Sequence, residues 1–210
     1  MKYLFIDASE NSTYTQVGNE KEFKQKTFAT DRNFAAKITC ICDEILQTAG
    51  LAFKDLDLLA VCTGPGSLTG LRVAGAFLRT SAMLTGKPLA GINLFEWSLQ
   101  TLANQGKTGP VRLVMPTLID KAFEVRAELP SVAHSQPELI ERSETGKEAD
   151  TYGIRFNSAG IIELTPDPIA LHQLIISGKP ATANGLQEIL NILPMYVIPS
   201  QAERKFKEAT

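Results

Sequence analysis

From Leu56 to Thr63 the chain reads as an apolar run interrupted only by Asp57 near its start, and it turns at once into Gly64-Pro65-Gly66-Ser67. A strand covered on both faces has this character, whereas a strand with one wet face alternates. The glycine turn leads into a long apolar helical stretch, Leu68 to Leu84. Leu89 to Ile92 reads as a second short buried strand, and Leu94 to Ala103 as the next helix. Upstream, Tyr3 to Ala8, Thr13 to Val17 and Glu22 to Ala29 read as three strands, joined by short polar segments that suit hairpins. Phe34, Ile38, Ile41, Ile45 and Ala49 then recur at the spacing of one helix face, with Asp31 or Asn33 placed to cap it and Gly50 to end it. The order β-β-β-α-β-α-β-α predicts an α/β mixed sheet with helices packed on it.

After Ala103 the regularity weakens. A boundary near Gly106 divides the chain into a regular first lobe, residues 1–105, and a smaller, less regular second lobe, residues 106–210. In the second lobe Val111 to Met115 and Ala122 to Leu129 read as strands, joined by a turn near Asp120 and Lys121. Pro130 to Asp150 reads as surface loop with an edge strand near Leu139 to Arg142. Pro168 to Ser177 reads as a helix with proline near its start, where a missing N–H costs least. Ala181 to Asn184 reads as a buried strand, Leu186 to Leu193 as a short helix, and Glu203 to Glu208 as a charged tail.

The charge balance narrows the functions on offer. Over 210 residues, 21 basic side chains face 23 acidic ones, a net charge of −2, and 44% of residues are apolar. That excludes a cationic coat able to grip nucleic acid by itself, and it excludes a disordered chain. No stretch approaches the roughly 18 apolar residues of a membrane span, and Asp7 interrupts the N-terminal apolar run too early for a signal peptide. Three cysteines make no disulfide framework, and free thiols suit a reducing compartment. A cytoplasmic protein without a membrane partner is expected.

Two places carry candidate chemistry. Gly64, Gly66, Ser67 and Thr69 lie where a buried strand becomes a helix. Glycines there allow a close approach to the backbone, Ser67 can cap the helix, and the helix N-terminus favours an anion. This fits either a nucleotide or anion loop or a tight turn with no ligand, because the Walker lysine and the dinucleotide glycine spacing are both absent. Asp7, at the end of the first strand beside Ser9 and Ser12, could hold hydrated magnesium near phosphates, or could be a turn residue bonding its own backbone.

These residues together carry a resemblance. Ile6-Asp7-Ala8-Ser9, the three strands, the amphipathic helix and Gly64-Pro65-Gly66-Ser67-Leu68-Thr69-Gly70-Leu71-Arg72 are similar to the TsaB (YeaZ) family, which has Phe where this chain has Leu68. The likeness continues through Gly86 to Ile92 and Leu94-Phe95-Glu96, reappears at Ile119-Asp120-Lys121 with Glu124-Val125, and ends at Pro194-Met195-Tyr196-Val197. It covers residues 1–103 well and the remainder in patches. It implies the actin/Hsp70/sugar-kinase (ribonuclease H-like) fold with two related lobes, the second abbreviated here. It also implies a non-catalytic partner of TsaD, the transferase that places threonylcarbamoyl on adenosine 37 of ANN-decoding tRNAs, together with the TsaE ATPase. No cofactor is required, although ATP or ADP could sit at a subunit interface, and tRNA would be held mainly by partners.

The residues agree with a chain that has no catalytic residues and no metal site. Catalytic relatives hold a metal through two histidines four apart on the first helix, whereas this chain has Asn33 and Lys37 at that spacing. Of its two histidines, His134 in a polar loop reads as solvated and His172 on a helix as packed or exposed. Cys40 and Cys42 face different sides of a helix, and Ser67 has no histidine base in view. The first two helices carry apolar stripes with small residues: Phe34, Ile38, Ile41, Cys42 and Ile45, and Leu71, Ala74, Gly75 and Leu78. Sequence alone fits both stripes buried in the lobe, or one facing another subunit. The resemblance implies the second, as the surface for TsaD and for a homodimer. Two other readings compete: an independent small-molecule kinase or ATPase of the same fold, suggested by Asp7 and the glycine turn, and a self-contained homodimer with a structural role.

Overall fold

The computed structural model describes residues 1–29, 33–117, 120–146, 148–178 and 180–195. The candidate cap Asp31, Ile119, the Tyr196-Val197 pair and the charged tail lie outside these residues. The first lobe runs β1 (Tyr3–Asp7), β2 (Ser12–Gly18), β3 (Phe23–Ala29), α1 (Phe34–Thr48), β4 (Leu58–Gly64), α2 (Leu68–Thr85), β5 (Leu89–Asn93) and α3 (Leu94–Asn104), the expected order. The second half adds β6 (Gly109–Pro116), β7 (Lys121–Leu129), β8 (Glu138–Glu141), β9 (Thr151–Ile154), β10 (Ile162–Leu164), α4 (Pro168–Ile176), β11 (Ala181–Ala183) and α5 (Leu186–Asn191). Strands β9 and β10 were not anticipated. Four and three residues are too few to display a period.

Two mixed sheets result. The first has the order β11-β5-β4-β1-β2-β3, with β1, β4 and β5 parallel and the others antiparallel to their neighbours. The second has the order β10-β9-β6-β7-β8. Helices cover the first sheet on both sides, which is why β4 is apolar at successive positions. Leu59 and Val61 pack with α1, α2 and α5, while Leu58, Ala60 and Cys62 pack with α3 and α4. The α3–α4 layer is shared, because the same cluster contains Leu113, Val125 and Tyr152 of the second sheet. Edge strand β3, with Lys24 and Lys26 in the exposed part of its run, carries the charge that protects a free edge. The chain halves and the sheets do not coincide: β11 pairs with β5, and α5 packs against α2, so residues 181–195 return to the first sheet.

Helix ends differ from the expected caps. Asn33 and Ser67 occupy the N-cap positions of α1 and α2, but neither side chain makes a capping bond. The side chains that do cap are Asn93, whose Oδ1 accepts the Glu96 N–H at 2.7 Å, and Asp167, which accepts the Ile169 N–H at 3.1 Å. Gly50 closes α1 in the left-handed conformation, as expected.

Candidate functional site

Strand β1 ends at Asp7 deep in the junction between the lobes. Its side chain is only 2% exposed. One carboxylate oxygen, Oδ1, accepts the N–H of Ser9 at 2.8 Å, the local turn bond available to an aspartate. The other, Oδ2, accepts a hydrogen bond from Nη2 of Arg155 at 3.1 Å. Arg155 leaves the end of β9 in the second sheet, and its Nη1 donates to Ser9 Oγ at 3.1 Å and lies 3.3 Å from Glu10 Oε1. Burial pulls the Arg155 pKa down, but the Asp7 and Glu10 carboxylates more than offset it, so the guanidinium stays charged. Of the two readings of Asp7, the turn residue bonding its own backbone is the one the geometry displays, and the other carboxylate oxygen is occupied by an arginine of the same chain.

The glycine turn is filled in the same way. A Cβ on Gly66 would lie 2.5 Å from the Ser9 carbonyl oxygen, and one on Gly70 would lie 2.0 Å from that of Ala8. These glycines let α2 sit directly on the end of β1. The Ser67 N–H donates to the Ser9 carbonyl at 2.6 Å, so it is spent within the chain. Of the proposed anion loop, the structure brings Asp7, Gly64, Gly66 and Ser67 together, while Thr69 faces outward from the first turn of α2. A cavity of about 280 Å³ remains beside the turn, lined by Ser9, Pro65, Gly66 and Ser67 from one lobe and Met115, Pro116, Thr117 and Phe123 from the other.

The other candidates separate clearly. Phe34, Ile38, Ile41, Cys42, Ile45, Leu71, Ala74, Gly75 and Leu78, expected at a partner surface, are all buried within the chain. The exposed positions of α1 and α2 carry Ala35, Ala36, Thr39, Cys40, Ala76 and Thr80, together with the polar or charged Lys37, Asp43, Glu44, Gln47 and Arg72 and the apolar Met83 and Leu84. Burial pushes the Cys42 thiol up to about 12, and it raises the Cys62 thiol well above its ordinary value with Asp7 beside it. Neither thiol is a nucleophile at neutral pH. His134 is half-buried rather than solvated: its ring lies edge-on to Phe95, and Nε2 is 3.4 Å from Asn93 Nδ2. His172 is packed, with Nδ1 2.8 Å from the Tyr3 hydroxyl and its ring against Phe23. Among the described residues no group of three or more His, Cys, Asp or Glu side chains is placed to hold a metal ion, and no helix is long and apolar enough to cross a membrane.

Sequence reasoning missed Arg155. It follows the apolar residues Tyr152 and Ile154, and a lone arginine after such a piece is a weak signal for a buried ion pair. It also missed the Arg112–Glu124 pair, buried between adjacent strands β6 and β7.

The family model of TsaD, the tRNA N6-adenosine threonylcarbamoyltransferase, matches residues 23–117. The transferase of Moorella thermoacetica is 42% identical over 62 residues, covering 30% of this chain and 18% of the relative. That of Thermodesulfovibrio yellowstonii is 37% identical over 118 residues, covering 49% and 35%. The chain thus spans about a fifth to a third of the length of these relatives. Two solved structures from Pseudomonas aeruginosa match almost end to end. YeaZ has a TM-score of 0.68 at 17% identity, covering 93% of this chain and 99% of that one. A protein described as similar to peptidase YEAZ has a TM-score of 0.70 at 16% identity, covering 94% and 99%. The two-lobed α/β fold implied by the sequence resemblance is present. The chain has the fold of the YeaZ structures and shares a stretch of sequence with the TsaD family model.

Proposed function

We propose that the chain is a non-catalytic subunit of the assembly that forms N6-threonylcarbamoyladenosine at adenosine 37 of ANN-decoding tRNAs. It serves as a scaffold for a TsaD-like catalytic subunit and a TsaE-like ATPase. The observation that carries this reading is the lobe junction, where Arg155 pairs with Asp7 and the backbone of Ala8 and Ser9 fills the glycine turn. A kinase or ATPase of this fold would need those groups turned toward its ligand. Helix α1 adds support, with Asn33 and Lys37 where a histidine pair would hold a metal.

The partner surface in this reading is the outer face of α1 and α2. Ala35, Ala36, Thr39, Ala76 and Thr80 are short side chains that let another helix approach closely. Part-buried Val73 and Phe77 contribute apolar area. The same face would serve a second copy of the chain, and tRNA would be reached through the partners. A nucleotide at a subunit interface would meet Ser67, Thr69 and the cavity beside them. Size-exclusion chromatography with TsaD and TsaE tests the reading: co-elution that is lost in Ala76→Glu is expected. Absence of any complex between folded components overturns it. Phosphate release from ATP by the isolated chain would favour an independent ATPase.

A further inference from the structure

The lobe junction contains a cation that the chain itself supplies. We infer that the Arg155 guanidinium occupies the position a divalent cation would take at Asp7, and so pins the two lobes at one angle while closing the junction to such ions.

Three observations carry this. The first is the contact set. Arg155 spans 148 residues of sequence to reach Asp7 Oδ2 and uses its second terminal nitrogen on Ser9 Oγ and Glu10 Oε1. A planar fork suits this arrangement and a point charge does not. The second is the backbone. Arg155 has φ +51°, in the left-handed region, where a residue with a side chain costs about 1 kcal/mol or more. It is held there by its N–H, which donates to the Leu164 carbonyl at 3.0 Å, and by a turn so tight that a Cβ on Gly153 would lie 2.2 Å from the Phe156 carbonyl oxygen. The surroundings therefore aim this side chain across the junction.

The third is the surrounding chemistry. Asp7 Oδ2, the Ser9 hydroxyl and Glu10 Oε1 lie 3.1, 3.1 and 3.3 Å from the guanidinium nitrogens, and Ser9 and Glu10 line an open cleft of about 470 Å³ with Asn11, Ser12 and Ser67. One or two carboxylates with a hydroxyl and waters form a donor set for a hard divalent cation. The buried Asp7 carboxylate needs a positive partner, and leaving it unpaired is strongly unfavourable. Arg155 meets that need from within the chain.

Mn²⁺ titration of the full chain, followed by electron paramagnetic resonance, tests the inference. The wild type is expected to leave Mn²⁺ free at concentrations where Arg155→Met takes up one ion at least about tenfold more tightly, and Asp7→Asn in the Arg155→Met background is expected to remove that ion. Amide exchange at Ser9 and Phe156 should quicken in Arg155→Met as the lobes loosen. Wild-type uptake that disappears in Asp7→Asn, or no uptake by folded Arg155→Met, overturns the inference. If Arg155→Met does not fold, Arg155→Lys keeps the charge without the fork. It should exclude Mn²⁺ as the wild type does while exchange at Ser9 rises, and Asp7-dependent uptake or unchanged exchange overturns the inference.

Discussion

The carbonyl oxygen of Ala8 lies where the side chain of residue 70 would begin: a Cβ on Gly70 would come within 2.0 Å of it. Helix α2 is seated on the end of β1 through this missing side chain. The glycine-rich segment, which the sequence leaves open as a ligand loop or a tight turn, is at Gly66 and Gly70 a packing device between two elements of the same lobe.

Gly70→Ala should therefore push α2 away from β1. Overpacking of this kind costs about 1–3 kcal/mol, and for a chain of this size each kcal/mol lowers Tm by about 2–4 °C. Gly75→Ala is the contrasting case in the same helix. No atom lies within 4 Å of its would-be Cβ, and alanine is the better helix former by about 1 kcal/mol, so stability should hold or rise. Thermal unfolding of both variants checks the pair.

Two neighbouring alanines of α2 should respond oppositely to a charge. Ala74 is fully buried among Leu78, Ile45 and Val61, whereas Ala76 faces solvent. Ala74→Glu places an unpaired carboxylate in the core and should lower stability by several kcal/mol, on the order of 3–5. Ala76→Glu should change stability by less than about 0.5 kcal/mol while weakening association at the outer face. Urea unfolding together with size-exclusion chromatography separates the two effects.

Glu124 joins Arg112 in a buried ion pair and also lies 2.8 Å from Arg126 Nε. Arg112 also donates to the carbonyls of Glu144 and Thr145, at 3.2 and 3.0 Å. Glu124→Gln leaves the guanidinium buried without its counter-charge and should cost about 3–5 kcal/mol. Replacing both residues, Arg112→Met with Glu124→Leu, should recover much of that loss. Denaturant midpoints for the two variants measure the difference.

His172 gives a pH dependence of defined sign. Burial lowers its pKa below the ordinary value near 6.5, so the folded chain prefers the neutral ring while the unfolded chain takes up the proton. Stability from this residue is fully present above about pH 6.5 and is lost as the pH falls through the lowered folded value. His172→Gln can still bond the Tyr3 hydroxyl but does not titrate. Its unfolding midpoint should fall less than that of the wild type between pH 7 and pH 5, and amide proton or fluorescence titration of unfolding follows it.

The first lobe was legible because its elements are long enough to show a period. Fifteen residues of α1 repeat an apolar face, and β4 is apolar from Leu58 to Cys62 because both of its sides are covered. The same periodicity could not say which covered face belongs to which layer. The apolar stripes of α1 and α2 were assigned to a partner, and the structure buries them against β1 and β4. The second half was less legible because β9 and β10 are short, and because β11 and α5 return to the first sheet across a long connection.

By itself, the sequence determined the order of the elements in the first lobe, the apolar faces and the resemblance to the TsaB family, since propensity, periodicity and motif are properties of neighbouring residues. Only the tertiary structure decided what the marked residues do. Asp7 and Arg155 are separated by 148 positions and meet at 3.1 Å, and Gly70 matters because the carbonyl of Ala8 comes to rest against it. The folded chain fixes such pairings because a buried charge must find its counter-charge and a close-packed interior leaves no room for a misplaced Cβ. Neither requirement is written at any single position of the chain.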